Sequence, residues 1–180
     1  GIDLISKYMQ DIMQAVRFAP FPVVAAPFGL VLGGGYEVIG ACDKIIAAAE
    51  SYIGLVEVGV GLIPGAGGNL RMLRNISEKI KSPMPGAFPV VQKVFEVVGF
   101  AKVATSAQKA QSYGYLRESD EIVINRTHIL HRAKKAVLEM SSEYKIPEVQ
   151  TFKLPGTSGR LVLDGSIKGF LKSKKISDHD

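Results

Sequence analysis

A single cysteine, Cys42, stands among the 180 residues, so no disulfide can close within the chain. That scarcity fits a reducing compartment, with cytoplasm as the default. Long hydrophobic runs are missing too. The longest apolar stretches, such as residues 22 to 32, include Gly and Pro and fall short of the roughly 20 residues a bilayer span needs, so no membrane segment is expected. The N-terminus shows no basic segment leading into an apolar core and a small-residue cleavage site, hence no visible secretory signal. It also lacks an initiator Met, as a processed product or an expressed fragment would. No strong charge imbalance appears: Lys plus Arg number 22 against 17 for Asp plus Glu, a net +5. Without a clustered basic stripe and interleaved aromatics this excludes an argument for nucleic acid, though it suits an anionic small ligand. The densest basic run, Lys168, Lys172, Lys174 and Lys175, reads as a solvated tail.

Several catalytic motifs are absent as well. A dinucleotide-binding glycine pattern begun at Gly59 would need glycine at position 64, where Pro64 stands. Begun at Gly65, it would need glycine at position 70, where Leu70 stands. A P-loop requires Gly-Lys-Ser/Thr and a nucleophile elbow Gly-x-Ser-x-Gly; neither occurs. His128 and His131 are spaced i, i+3 but have no third ligand nearby, so they read as a surface pair rather than a metal site. Cys42 closes a short apolar helix and reads as buried packing.

What is present is a chain of 47% apolar and 22% charged residues, the balance of one soluble globular domain. Leu4, Tyr8, Ile12 and Val16 recur at helical spacing behind Asp3, which is placed as an N-cap. The prolines at 20 and 22 end that helix. Residues 23–26 read as a short buried strand, 36–42 as a helix, 44–49 as a buried strand and 69–75 as a helix. Strands separated by short helices with glycine at the junctions argue for an α/β unit with mainly parallel pairing. The proline-rich stretch 77–89 reads as an exposed connection. Thr105-Ser106-Ala107-Gln108 has the form of a capping box with Thr105 as cap, and Gly114 is placed as a left-handed C-cap. Ile129, Ala133, Ala136 and Met140 line one face of a later helix. From Pro147 onward the chain reads as a loop with glycines and a short apolar stretch, 161–163. The divisions are 1–75, a core carrying the candidate site, 76–146, a connection and C-terminal helices, and 147–180, a tail of the same domain.

Gly33-Gly34-Gly35 precede a helix, leaving backbone N–H groups bare near the positive end of its dipole, a good oxyanion site or otherwise a tight turn. Glu37 falls within the first turn of that helix. Glu57 lies among apolar residues and glycine in 54–59, where burial raises a carboxyl pKa as a general acid requires; a strand-end surface residue is the plainer alternative. Two carboxylates and an oxyanion hole suit proton transfer beside a carbonyl.

The ordered segments 22–29, 32–37, Cys42-Asp43 and 54–68, with Ser106, Ala107, Ala110, Gly114 and Leu116 further on, resemble the crotonase (enoyl-CoA hydratase/isomerase) signature. The resemblance implies a spiral of ββα turns with a C-terminal helical region, incomplete here at its N-terminus, and assembly as trimers or dimers of trimers. It assigns Glu37 to water activation, Glu57 to proton exchange at C2 and the Gly34 N–H to the thioester oxygen. The Ile2 amide, at the end of a Gly-Ile-Asp-Leu loop, becomes the second oxyanion donor, and Leu4, Gly33 and Val56 take substrate-binding positions. Both Glu positions being filled favours hydration of a 2-enoyl-CoA thioester over Δ3,Δ2-isomerisation; a silent structural fragment is the remaining alternative. Residues 115–120, the long connection and the ending 176–180 look most like hydratase domains fused to a 3-hydroxyacyl-CoA dehydrogenase of β-oxidation. NAD would belong to that absent domain, so no cofactor is expected in this chain, coenzyme A being part of the substrate. With its second donor held by so little chain, the isolated polypeptide is expected to be a weak catalyst.

Overall fold

The computed structural model describes residues 1–80 and 88–179. Helix α1 (Ile2–Arg17) leads into strand β1 (Val24–Ala25), β2 (Leu30–Leu32), helix α2 (Gly34–Ala41), β3 (Lys44–Ala48) and β4 (Tyr52–Gly54). After a 3-10 turn at Glu57–Val60 come α3 (Gly68–Lys79), α4 (Phe88–Val98), α5 (Ala107–Tyr113), β5 (Glu121–Val123), α6 (Ile129–Ser141) and α7 (Gly156–Lys172). Two small parallel sheets form, in the orders β1-β3-β5 and β2-β4. Val24 pairs with Lys44, and Leu30 with Tyr52, so each strand returns in parallel after a helix or a bend, the ββα turn expected of this chain. β5 closes the first sheet on the outer side of β3.

The apolar strand β3 is read correctly because both its faces are covered. Ile45 and Ala47 face one cluster with Tyr36, Ile53, Leu55 and Met72; Ile46 and Ala48 face another with Val123, Ile129 and Ala133. At the centre the Tyr36 and Tyr115 rings meet edge to face at 4.9 Å. Tyr36 donates its hydroxyl hydrogen to the Tyr115 carbonyl at 3.1 Å, and the Tyr115 hydroxyl donates to the Lys102 carbonyl at 2.8 Å while accepting from the Leu55 N–H at 3.1 Å. These bonds satisfy buried polar groups and fix the backbone two residues before Glu57. Asp120, also buried, ties β3 to the segment ahead of β5 by accepting from the Ile45 N–H at 2.9 Å and pairing with Arg117 at 3.0 Å.

Several expectations are corrected. Gly1, not Asp3, is the N-cap of α1, and Asp3 lies in its first turn, where a carboxylate still complements the helix dipole. The apolar stripe of α1 is largely uncovered: Met13 is buried and Val16 half-buried, but Leu4 and Tyr8 are exposed, because the helix packs only through its C-terminal half against Ala41 and Ala66. Of residues 23–26, expected as a buried strand, only Val24–Ala25 form one, and it is half-buried. The cap of α5 is Ser106, whose hydroxyl accepts from the Lys109 N–H at 3.1 Å, rather than Thr105. Gly114 does take the left-handed C-cap, at φ 92°. Of the stretch 77–89, Ser77 to Lys79 end α3 and Phe88 and Pro89 begin α4, while 81–87 lie outside the described residues. The tail is not a loop: α7 runs for 17 residues. Its glycines masked the helix, and one of them is used for close approach, since a Cβ on Gly159 would meet the Pro155 ring at 2.3 Å. Among the described residues no helix is long and apolar enough to cross a membrane.

Candidate active site

Gly33 turns the chain from β2 into α2 with φ 56° and ψ −125°, a conformation that side chains disfavour, and its N–H donates to the Gly54 carbonyl of β4 at 2.8 Å. The amides of Tyr36 and Glu37 return to the Gly33 carbonyl at 2.9 and 3.2 Å. The amides of Gly34 and Gly35, at the helix start, have no intrahelical acceptor. A Cβ on either would meet nothing within 4 Å, so open space lies over them. A bare, positively polarised helix start facing a void is a place for a developing negative charge.

Glu37, 3% exposed, is held from the other side by the loop that enters α3. Its Oε1 accepts from the Ala66 and Gly68 N–H groups, both at 2.8 Å. The glycines around Ala66 make that wrap possible. Gly67 caps α3 at φ 114°, and a Cβ on Gly68 would come within 2.7 Å of Leu55 and 3.1 Å of Glu37 Oε1.

Glu57 opens the 3-10 turn after β4. A Cβ at Gly33 would lie 3.2 Å from Glu57 Oε1 and 3.8 Å from Val56 Cγ2, so this carboxylate and Val56 sit over the bend that starts α2. Glu57 Oε2 is buried without a hydrogen-bond partner among the described residues. Burial raises its pKa above the usual carboxylate range; backbone donors work against the shift, and the charge of Glu37 adds to it. Two glutamates in electrostatic contact, one fixed by two amides and one with an unpartnered oxygen, can divide the roles of base and acid.

Immediately beyond Glu57, Val58 and Gly59 begin an apolar cavity of about 770 Å³. Leu70 of α3, Phe95 of α4, Phe100 and Phe170 of α7 form much of its wall, with Phe100 and Phe170 edge to face at 5.1 Å. Lys175 and Ile176 also line it, so part of the basic run borders a pocket instead of forming only a solvated tail. His179 holds the adjoining loop, its Nε2 3.0 Å from the Gly61 carbonyl.

The structure thus gathers Gly33, Gly34, Glu37, Val56 and Glu57. Ile2 and Leu4 lie on the open first turn of α1, their side chains 82% and 71% exposed. Ala66 and Gly68, the donors to Glu37, were missed by the sequence reading, although the Gly-Ala-Gly-Gly run at 65–68 is the signal for amides free to close on an anion. His128 and His131 are both exposed. Cys42 is buried, and that burial pushes its thiol up to about 11, as expected of a packing cysteine.

Residues 3–85 match the family model described as enoyl-CoA hydratase/isomerase. A curated relative, a probable 3-hydroxyacyl-CoA dehydrogenase of Bacillus subtilis, is 38% identical over 180 residues, covering 99% of this chain and 22% of its own length. An enoyl-CoA hydratase from Bacillus anthracis superposes with TM-score 0.62 and 29% identity over 77% of this chain and 47% of the other. DspI of Pseudomonas aeruginosa, 18% identical, shares the fold at TM-score 0.63 over 97% of this chain and 58% of its own. The chain therefore spans about a fifth of the curated relative and about half of these solved structures.

Proposed function

We propose, for a chain that has the crotonase fold and matches the enoyl-CoA hydratase/isomerase model over residues 3–85, that it adds water across the 2,3 double bond of an enoyl-CoA thioester. The observation that carries this reading is the meeting of Glu37 and Glu57 beside a bare helix start and an apolar cavity. In the proposed reaction the thioester oxygen lies over α2, where the Gly34 N–H and the helix dipole stabilise the enolate oxyanion; one such donor is worth roughly 3–4 kcal/mol. Glu37 takes a proton from water as its oxygen bonds to C3. Glu57, which burial favours in its protonated form, gives its proton to C2. Proton exchange with solvent resets the pair. The acyl chain runs past Val58 into the cavity. The Ile2 amide, assigned as a second donor by family resemblance, stands at the first residue of α1, where helix geometry gives its N–H no intrahelical acceptor.

A second reading has its own support. Glu37 Oε1 is already engaged by two amides, whereas Glu57 Oε2 has no partner among the described residues, and a Δ3,Δ2-enoyl-CoA isomerase needs only one carboxylate to shuttle a proton. Assaying crotonyl-CoA hydration against 3-hexenoyl-CoA isomerisation separates the two: hydration as the faster reaction supports the first, and isomerisation alone overturns it. The likeness to the Bacillus subtilis relative supports a place in a β-oxidation dehydrogenase fusion, whose NAD site would lie outside this chain. Trimeric assembly belongs to the same reading and is measurable by light scattering.

A further inference from the structure

Helix α3 carries chemistry that the reaction above does not use. Arg71 and Arg74, 5% and 4% exposed, are buried guanidinium groups. Arg71 Nε and Arg74 Nη1 have no hydrogen-bond partner among the described residues. Arg74 Nε and Nη2 reach only the neutral Asn75 Oδ1, at 3.4 and 3.3 Å. The neighbouring cations are already paired, Arg17 with Asp43 at 3.5 Å and Arg117 with Asp120 at 3.0 Å. Glu148 borders the adjoining cavity and Glu78 lies nearby on α3; both are exposed, and neither forms an ion pair with Arg71 or Arg74 among the described residues. Burial, with the charges of Arg17, Arg117 and Arg71 adding, pulls Arg74 down to about 10. Two buried positive charges without a counterion are costly unless something compensates them.

Arg71 and Arg74 line this cavity, of about 270 Å³, together with Arg17, Gln14, Gln150 and the exposed Glu148 at its rim. A single water occupies roughly 30 Å³, so the space accepts something larger. We propose that this cavity is a binding site for a phosphate oxyanion, held by Arg71 and Arg74 and separate from the two glutamates. A dianion matches two unpaired guanidinium charges, and the planar forks of arginine suit the oxygens of phosphate. The flanking glutamine amides add neutral donors. Leu70 lines both this cavity and the apolar one, so an anion here would brace the helix whose first turn holds Glu37.

The test is calorimetric titration of the chain with inorganic phosphate at constant ionic strength, alongside Arg74→Gln and Arg71→Lys. Saturable binding is expected, weakened about tenfold or more by Arg74→Gln, the worth of one charge-assisted hydrogen bond. Arg71→Lys keeps the charge and packing length and is expected to weaken binding less. Tungstate soaked into crystals of the unaltered protein should give anomalous density between the two arginines, a readout that no variant's folding can confuse. Coenzyme A, which carries phosphates, is the second arm: displacement assigns the site to a substrate-borne phosphate, and no displacement to a free one. Absence of saturable phosphate binding, or binding unchanged in Arg74→Gln, overturns the proposal.

Discussion

Replacing Gly68 by alanine tests how the carboxylate of Glu37 is held. The added methyl would stand 2.7 Å and 3.0 Å from the two Leu55 methyls and 3.1 Å from Glu37 Oε1. Ordinary contact begins near 3.4 Å, so about 0.7 Å must be found somewhere (3.4 less 2.7). Leu55 is fully buried among the side chains of the main core, so its methyls cannot yield that distance without displacing their neighbours. The start of α3 moves instead, stretching the 2.8 Å bond from the Gly68 N–H to Glu37. Overpacking of this size costs about 1–3 kcal/mol, and a hydrogen bond to a charged group about 1.5–3 kcal/mol when lost outright. A net destabilisation of about 2–4 kcal/mol is expected in urea denaturation. Turnover should fall with it, because displacing a catalytic group by about 1 Å costs on the order of 10²-fold. Gly35→Ala is the control, since its Cβ meets nothing within 4 Å. A Gly68→Ala protein with unchanged midpoint and unchanged turnover would refute this account of the Glu37 cradle.

Further outcomes follow from the same contacts. Asp120→Asn leaves half-buried Arg117 without its buried counter-charge and should destabilise by about 3–5 kcal/mol in urea denaturation; a loss below about 1 kcal/mol would show the pair to be dispensable. Glu57 has a raised pKa when folded, so between its unfolded and folded values the native state binds more protons than the unfolded one, and its ionisation removes stability as pH rises. Glu57→Gln should therefore gain stability relative to the unaltered protein on going from acid to neutral pH; a pH-independent difference would contradict the burial of that carboxyl.

Strands β1 and β3 and the turn into α2 were legible because their cause is local, whereas β2, β4 and β5 were not read as strands. A buried parallel strand leaves an unbroken apolar run at 45–49, and Gly33 marks a turn that a side chain would strain. The helix ends at Arg17 and Gly114 were readable from proline and glycine for the same reason. What was not legible depends on distant partners. Nothing near Glu37 in sequence announces that Ala66 and Gly68 will donate to it. Thr105 and Ser106 are both good caps, and backbone geometry decided for Ser106. α7 was concealed by four glycines at 156, 159, 165 and 169, residues of low helix propensity, and its docking through Phe170 onto Phe100 is a tertiary contact. The apolar periodicity of α1 was read as a helix, and the structure bears that out; spacing shows which side is apolar and not whether anything covers it, and most of this stripe is exposed. The buried charges of Arg71 and Arg74 were likewise invisible in a helix whose sequence reads as polar.

The most direct test of the paired-carboxylate reading is crotonyl-CoA hydration, followed by loss of the conjugated-thioester absorbance, for the unaltered protein, Glu37→Gln and Glu57→Gln. The account predicts weak but saturable hydration by the unaltered chain and a fall of about 10²–10⁴-fold in turnover for each variant, with folding retained by circular dichroism. Hydration that survives either substitution at full rate, or none by the unaltered chain at saturating substrate, would contradict it.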